Sequence, residues 1–301
     1  MNVLPADIEY ERLLGKQESQ YVRPLTDFRA EVAAYFEAGP STFGDPLPWG
    51  KTHELFRLRP GEVTIWAGIG GSGKSLITGQ VILGLSRSRK CLIVSLEMPV
   101  RATIARMMRQ AAGVEKPGLG FQTEFYEKTS RIWIYDQTDV VPPERILGMI
   151  HYAAAELGIE HVMIDCLVKV GLRTDNYNAA QAEFMNRICW AAKAHNVHIH
   201  VVHHLRKGQD ISKTPTGWDL KGAGELRDLT DNLVLVWRNV VKEEKMSRGE
   251  HAPVTDPDVV LFVDKARHGE HTPKIGLFYH HPSQSFHGDP YNRVAILDHA
   301  R

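Results

Sequence analysis

From about residue 50 onward, short apolar runs alternate with longer stretches of helical spacing. Residues 62–67 form a compact apolar run, and an apolar helical start follows at 76–83. Residues 91–96, 131–135, 161–165 and 197–204 are further strand-like runs. Between them, 101–113, a segment from Pro142-Pro143 to about 157, and roughly 179–195 carry helical patterns. Residues 232–237, 258–264 and 274–279 then follow as strand runs with little helix between them. Alternation first and consecutive strands last predicts an α/β fold. Its central sheet is mainly parallel, helices cover both faces, and an antiparallel edge closes the C-terminal side.

Residues 1–45 differ. Leu25, Phe28, Val32, Tyr35 and Phe36 fall near the spacing of one amphipathic helix within 25–38, which Gly39-Pro40 stops. One helix with polar flanks cannot bury a core of its own, so it packs either on its own globule or on a neighbour. The expected organisation is an N-terminal arm over 1–45 and one large domain over 46–301.

Composition narrows the class without deciding it. At 43% hydrophobic and 24% charged residues the chain is of ordinary globular type. No apolar run reaches the roughly 20 residues of a membrane span, and the N-terminus has no secretory pattern, so a cytoplasmic protein with no membrane partner is expected. Cys91, Cys166 and Cys189 are too scattered for a disulfide framework or a paired-cysteine metal site. Lys+Arg equals Asp+Glu at 36 each, so any nucleic-acid contact must come from local loops or from repetition around an oligomer.

The chemistry begins at 68–75. Gly68, Gly70, Gly71, Ser72, Gly73, Lys74 and Ser75 satisfy the phosphate-loop pattern, between a strand run and a helical start. Backbone amides and a helix N-terminus there would cradle phosphates, with Lys74 on the β/γ-phosphates and Ser75 on Mg²⁺. The cofactors expected are ATP, dTTP or another nucleoside triphosphate, and Mg²⁺. Asp165 ends an apolar strand run, a position from which a carboxylate holds that Mg²⁺. Glu97 ends the run after the phosphate-loop helix, within reach of a water attacking the γ-phosphate.

His195, His198, His200, His203 and His204 crowd one strand run. Alternation puts His198, His200 and His204 on one face and His203 on the other, and no cysteine or carboxylate completes a ligand set. His204, at the strand tip, is better placed to sense the γ-phosphate. Beyond it, the loop over 206–221 holds Arg206, Lys207 and Lys213 and ends near Lys221 and Gly222. It is either a solvated loop or a contact to a nucleic-acid backbone. Lys265 and Arg267 share a face of a late strand run: either an edge-strand charge pair or a pair aimed at a neighbouring subunit's nucleotide.

These pieces in this order resemble the DnaB-type hexameric replicative helicases of the RecA-like ATPase class, nearest to phage primase–helicases and Twinkle. The resemblance rests on 59–64, 95–99 with Arg101, 201–206, 220–232 and 265–269, and spans roughly 25–285. It implies a RecA-like P-loop core, Glu97 as catalytic base, Asp165 as the Mg²⁺ carboxylate and His204 as γ-phosphate sensor. Lys265 and Arg267 become trans-acting, the 206–221 loop tracks single-stranded DNA in a central channel, and the 25–38 helix links protomers. A homo-hexamer or heptamer with nucleotide at its interfaces is implied, with a separate primase and a DNA polymerase as partners. Nothing upstream of residue 25 suggests a primase domain. Cys166 stands where Tyr or Ser is more usual and is expected to serve packing alone. The setting expected is a bacterial or phage-infected cell rather than a mitochondrion. A strand-exchange or regulatory ATPase without unwinding activity is the rival reading.

Overall fold

The structure is a computed structural model that describes residues 22–38, 43–172, 176–206, 210–222, 224–269 and 272–291. The chain divides into two compact units at residues 43/44. In the first, a 3₁₀ turn over Leu25–Phe28 leads into α1 (Arg29–Ala38), as the apolar spacing predicts. Leu25, Val32, Tyr35 and Phe36 are exposed on it.

The second unit is built on one nine-stranded sheet. Its elements run β1 (Asp45–Pro46), β2 (Arg57–Leu58), β3 (Val63–Gly68), α2 (Lys74–Leu85), β4 (Cys91–Ser95), α3 (Val100–Ala112), α4 (Leu119–Lys128) and β5 (Ile132–Ile134). Then come α5 (Pro143–Leu157), β6 (His161–Asp165), α6 (Tyr177–His195), β7 (His198–His204), α7 (Glu225–Leu229), β8 (Asn232–Arg238), α8 (Val240–Ser247), β9 (Val259–Ala266), β10 (Lys274–His280) and β11 (Ser285–His287). The sheet order is β11-β10-β9-β8-β3-β7-β6-β4-β5. All pairs from β8 through to β5 are parallel, and β8/β9, β9/β10 and β10/β11 are antiparallel. β1 and β2 make a separate small ladder.

Strand β3 shows why the centre reads as a solid apolar run: all six residues are buried, because helices cover both faces. Val63, Ile65 and Ala67 pack with Ile146 and Ile150 of α5 and Phe184 and Ile188 of α6. Trp66, on the other face, packs with Ile77 and Val81 of α2 and Met107 of α3. Strand β9 instead alternates buried and half-buried positions, as expected near an edge.

Three helices run where the pattern predicts none. Helix α4 buries only Phe125, α7 only Leu226 and α8 only Val240 and Lys242, so none carries a readable apolar stripe. Helix α8 is held by its N-terminal turn: the Asn239 side chain accepts from Lys242 N–H, and Lys242 pairs with Asp258 at 2.7 Å.

The histidines of the central strands form a buried polar chain. Trp66 Nε1–H donates to His200 Nδ1 at 3.2 Å, which leaves His200 Nε2 to donate to His161 Nδ1, also at 3.2 Å. His161 Nε2 in turn lies 3.0 Å from Asp45 Oδ2. His198 bridges Thr64 and the Arg59 carbonyl. Burial works against charge on Asp45, yet hydrogen bonds from His161 and Arg89 hold its carboxyl below the usual range.

Burial keeps the imidazoles of His198, His200 and His203 neutral. His198 is pushed down to about 3, His203 to about 4 and His200 well below 6.5. An unfolded chain binds protons there as pH falls through about 6.5, whereas the folded chain does not. Stability is therefore full above pH 6.5 and falls below it, by up to ~1.4 kcal/mol per pH unit for each of the three. Thermal melts at pH 7.5, 6 and 5 are expected to show a progressive drop in Tm; a constant Tm would contradict buried neutral imidazoles.

Candidate nucleotide site

The phosphate loop joins β3 to α2. Gly71 and Gly73 sit at φ of 76° and 91°, the left-handed region where any other residue is strained. Gly68 has no room for a side chain: a Cβ there would meet Ser72 Oγ and, at 2.6 Å, the Val236 carbonyl. Gly70 faces open space. Lys74 is buried and folds back, donating to the carbonyls of Gly68 at 2.9 Å and Ile69 at 2.8 Å. Ser72 Oγ is buried without a hydrogen-bond partner among the described residues. An orphan hydroxyl, a helix N-terminus and an ammonium satisfied only by loop carbonyls form a cradle that fits a phosphate chain.

Beside it, the tips of β4, β6 and β7 converge. Leu96 N–H donates to the Asp165 carbonyl at 2.7 Å, which holds the ends of β4 and β6 together. Glu97 and Cys166 then face each other, and the Cys166 thiol donates to Glu97 Oε1 at 3.0 Å. His204 Nε2 lies 3.8 Å from the same sulfur. Cys166 thus does more than pack: it joins the base candidate to the sensor candidate, a contact that spans three strands and leaves no local trace in sequence.

Asp165 is buried, with the Ser75 hydroxyl close enough to favour its carboxylate form. Burial raises its pKa, with Glu97 adding to the effect and Ser75 and Lys74 opposing it. The Ser75–Asp165 oxygen pair suits a hard cation such as Mg²⁺. Burial lowers Lys74, against the pull of Asp165, Cys166 and Glu97. Burial and Lys74 also lower His204, leaving a neutral imidazole at pH 7. Burial and Glu97 push the Cys166 thiol up to about 12.

Lys265 and Arg267 are elsewhere. Ala266 pairs with Asn232 and Asn232 with Thr64, so this end of β9 lies beside the start of β3, about 13 Å along the strands from Gly68. Lys265 Nζ donates to the carbonyls of Arg227 and Asp228, both at 2.8 Å, and Arg267 pairs with Asp231 at 3.2 Å. Neither cation faces the phosphate loop of its own chain.

The loop after β7 is hooked onto that strand's tip. Leu205 bridges to Leu220, and Arg206 Nε donates to the Leu220 carbonyl. Lys221 N–H donates to the His204 carbonyl, while His203 Nε2 lies 2.7 Å from the Lys221 carbonyl. Lys213 projects into solvent beside Asp210, and Gly222 sits at φ 106°. Lys207 lies outside the described residues.

A cavity of about 690 Å³ opens beside the phosphate loop, lined by Gly71, Ser72, Arg238, Tyr279 and Phe286 among others. Phe286 would stand 3.1 Å from a Cβ at Gly73. Aromatic walls next to a phosphate cradle suit a base and ribose. These residues escape sequence reasoning, since Tyr279 and Phe286 are ordinary strand residues until the sheet order brings β10 and β11 to the loop.

Residues 55–210, just over half the chain, match the AAA domain family. The DNA helicase/primase of Enterobacteria phage T3 is 26% identical over 212 residues, covering 63% of this chain and 38% of the phage protein. The chloroplastic/mitochondrial Twinkle homolog protein of Arabidopsis thaliana is 23% identical over 238 residues, covering 71% and 33%. The chain thus spans little more than a third of the length of these curated relatives. Among solved structures, a DnaB-like replicative helicase studied with primase superposes with TM-score 0.71 at 16% identity, over 90% of this chain and 69% of that one. The ATPase domain of G40P gives TM-score 0.73 at 16% identity, over 91% and 99%. Described helices include none long and apolar enough to cross a membrane. The chain belongs to the AAA domain family, with the RecA-like fold shared by DnaB-type helicase ATPase domains.

Proposed function

We propose that this chain is the motor of a ring-forming replicative DNA helicase, which hydrolyses a nucleoside triphosphate to move along single-stranded DNA and part the duplex. The observation that carries this reading is the division of labour across the sheet. Gly68, Glu97, Asp165 and His204 gather at one edge, whereas Lys265 and Arg267 sit at the opposite end of β9. A neighbouring copy would have to bring its own pair to complete the site.

In this reading the amides of the phosphate loop and Lys74 bind the phosphates, and Ser75 and Asp165 would hold Mg²⁺. The metal supplies charge neutralisation of the β/γ-phosphates when bound. Glu97 orients and deprotonates the attacking water. Neutral His204 donates a hydrogen bond from its ring N–H to a γ-phosphate oxygen. Because His204 and Lys221 share a backbone hydrogen bond, a displacement at the sensor is delivered to the 206–222 loop, which carries Arg206, Lys207, Lys213, Lys221 and Gly222 to the DNA backbone. Tyr279 and Phe286 take the base.

The apolar face of α1, exposed in its own unit, packs on the next protomer of a hexamer or heptamer. The partners proposed are single-stranded DNA in the central channel, a primase, and a DNA polymerase, in the cytoplasm of a bacterial or phage-infected cell.

A forked-duplex assay with ATP and with dTTP tests the whole. Wild-type rings are expected to separate strands, and Glu97→Gln to cut hydrolysis by roughly 10²–10⁴-fold while nucleotide binding persists. A ring that hydrolyses NTP on DNA yet separates no strands would favour the strand-exchange or regulatory class instead. Tyr279→Ala is expected to weaken nucleotide binding by about 2–13-fold, the worth of one aromatic contact, in a fluorescent-nucleotide titration. When Arg267→Ala chains are mixed into wild-type rings, hydrolysis should fall faster than the mutant fraction rises. A strictly proportional loss would remove the trans role.

A further inference from the structure

Two cation positions of opposite character lie side by side at the catalytic edge. Ser75 and Asp165 offer oxygen alone. Glu97, Cys166 and His204 offer one oxygen, one sulfur and one nitrogen, with these donor atoms all within 4.8 Å of one another. The sulfur lies 3.0 Å from Glu97 Oε1 and 3.8 Å from His204 Nε2. Those separations bracket the ~3.6 Å that a sulfur and an oxygen or nitrogen keep around a tetrahedral zinc, given Zn–S near 2.3 Å and Zn–N or Zn–O near 2.0–2.2 Å.

The three donors also arrive preorganised. Each follows or ends a strand of one parallel sheet, so their spacing is set by the ladder between β4, β6 and β7 rather than by a loose loop. Cys166 is buried, His204 half-buried and Glu97 exposed, so the cluster is walled on the protein side and open to an entering ion on the other. Hard cations such as Mg²⁺ prefer the all-oxygen pair next door; a thiolate with an imidazole selects a zinc-type ion.

We propose that Glu97, Cys166 and His204 form a three-ligand site for zinc(II), distinct from the Ser75–Asp165 pair, whose fourth position stays open to water. On binding, the Cys166 S–H bond breaks, its proton leaves to solvent, and a Zn–S bond replaces it. The hydrogen bond from the thiol to Glu97 is lost, and the Glu97 carboxylate becomes a ligand. The inhibitory consequence rests on the functional reading above: an ion held there captures both the group that activates water and the group that senses the γ-phosphate. Zinc thereby stops hydrolysis by sequestering the machinery rather than by displacing Mg²⁺.

The experiment separates the site from its consequence. The nucleotide-free full chain is titrated with Co²⁺, whose bond to a thiolate gives a charge-transfer absorption band, and Zn²⁺ is then added to displace it. One ion per chain is expected to give the band, and Cys166→Ser to abolish it. Cys91 and Cys189 are buried in the two cores and stay in place. The exposed His151–His195 pair, 3.3 Å apart, has no sulfur and contributes nothing to the band. Glu97→Gln, a change at an exposed position, is expected to weaken Co²⁺ binding at least tenfold. An undiminished band in Cys166→Ser, or no band in wild type, overturns the site. Hydrolysis is then measured with and without Zn²⁺, each chain against its own zinc-free rate. Inhibition of wild type that Cys166→Ser relieves supports the whole proposal. A Cys166-dependent band with hydrolysis indifferent to zinc would keep the metal site and overturn the role given to Glu97.

Discussion

Everything at the catalytic edge depends on the register of four parallel strands. Gly68 pairs with His204 across β3 and β7, and Ser95 with Asp165 across β4 and β6. Residues far apart in sequence are set side by side by backbone hydrogen bonds, before any side chain chooses a rotamer. A slip of one residue in β7 would present His203 instead of His204 and send every side chain of that strand to the opposite face. The buried contacts of Val201 on one face, and the His200–His161–Asp45 chain on the other, hold the register from both sides.

The same geometry concentrates charge. Lys74, Asp165, Glu97 and His204 influence one another in a partly dry environment where Coulomb interactions are several times stronger than in water. Lys74 is held in reserve by two loop carbonyls, weak partners that a phosphate would outcompete through full opposite charge. At the other end of the sheet Lys265 rests on two carbonyls of α7, whereas Arg267 is paired with the Asp231 carboxylate, a partner of full opposite charge.

Much of this was legible in the chain. Apolar runs located the seven longer strands of the main sheet within one to two residues, because both-face burial leaves a continuous hydrophobic signature at β3, β4 and β6. Glycine spacing located the loop, since positive φ at Gly71 and Gly73 admits little else. What escaped was either short, weakly amphipathic or assembled across the sheet. Helix α4 sinks one side chain, and β11 is three residues long. The cavity beside the phosphate loop exists only where β10 and β11 fold back toward α2. Cys166 gained its contacts from Glu97 and His204, 69 and 38 residues away, separations that no local pattern encodes. Lys265 and Arg267 were readable as a shared face, but their distance from the chain's own loop needed the antiparallel turn of β9.

The Asp45–His161–His200–Trp66 chain has a mechanical consequence. Asp45 is the second residue of the large unit, where Arg57 also holds the Gly44 carbonyl, so the unit grips the polypeptide at its first residues. That grip is not on a loop or an edge strand. It runs through two imidazoles and an indole into β6, β7 and β3, the strands that end at Asp165, His204 and Gly68. The first residues of the large unit are thereby tied to the middle of the sheet, next to the strand that leads into the phosphate loop, and not to its surface.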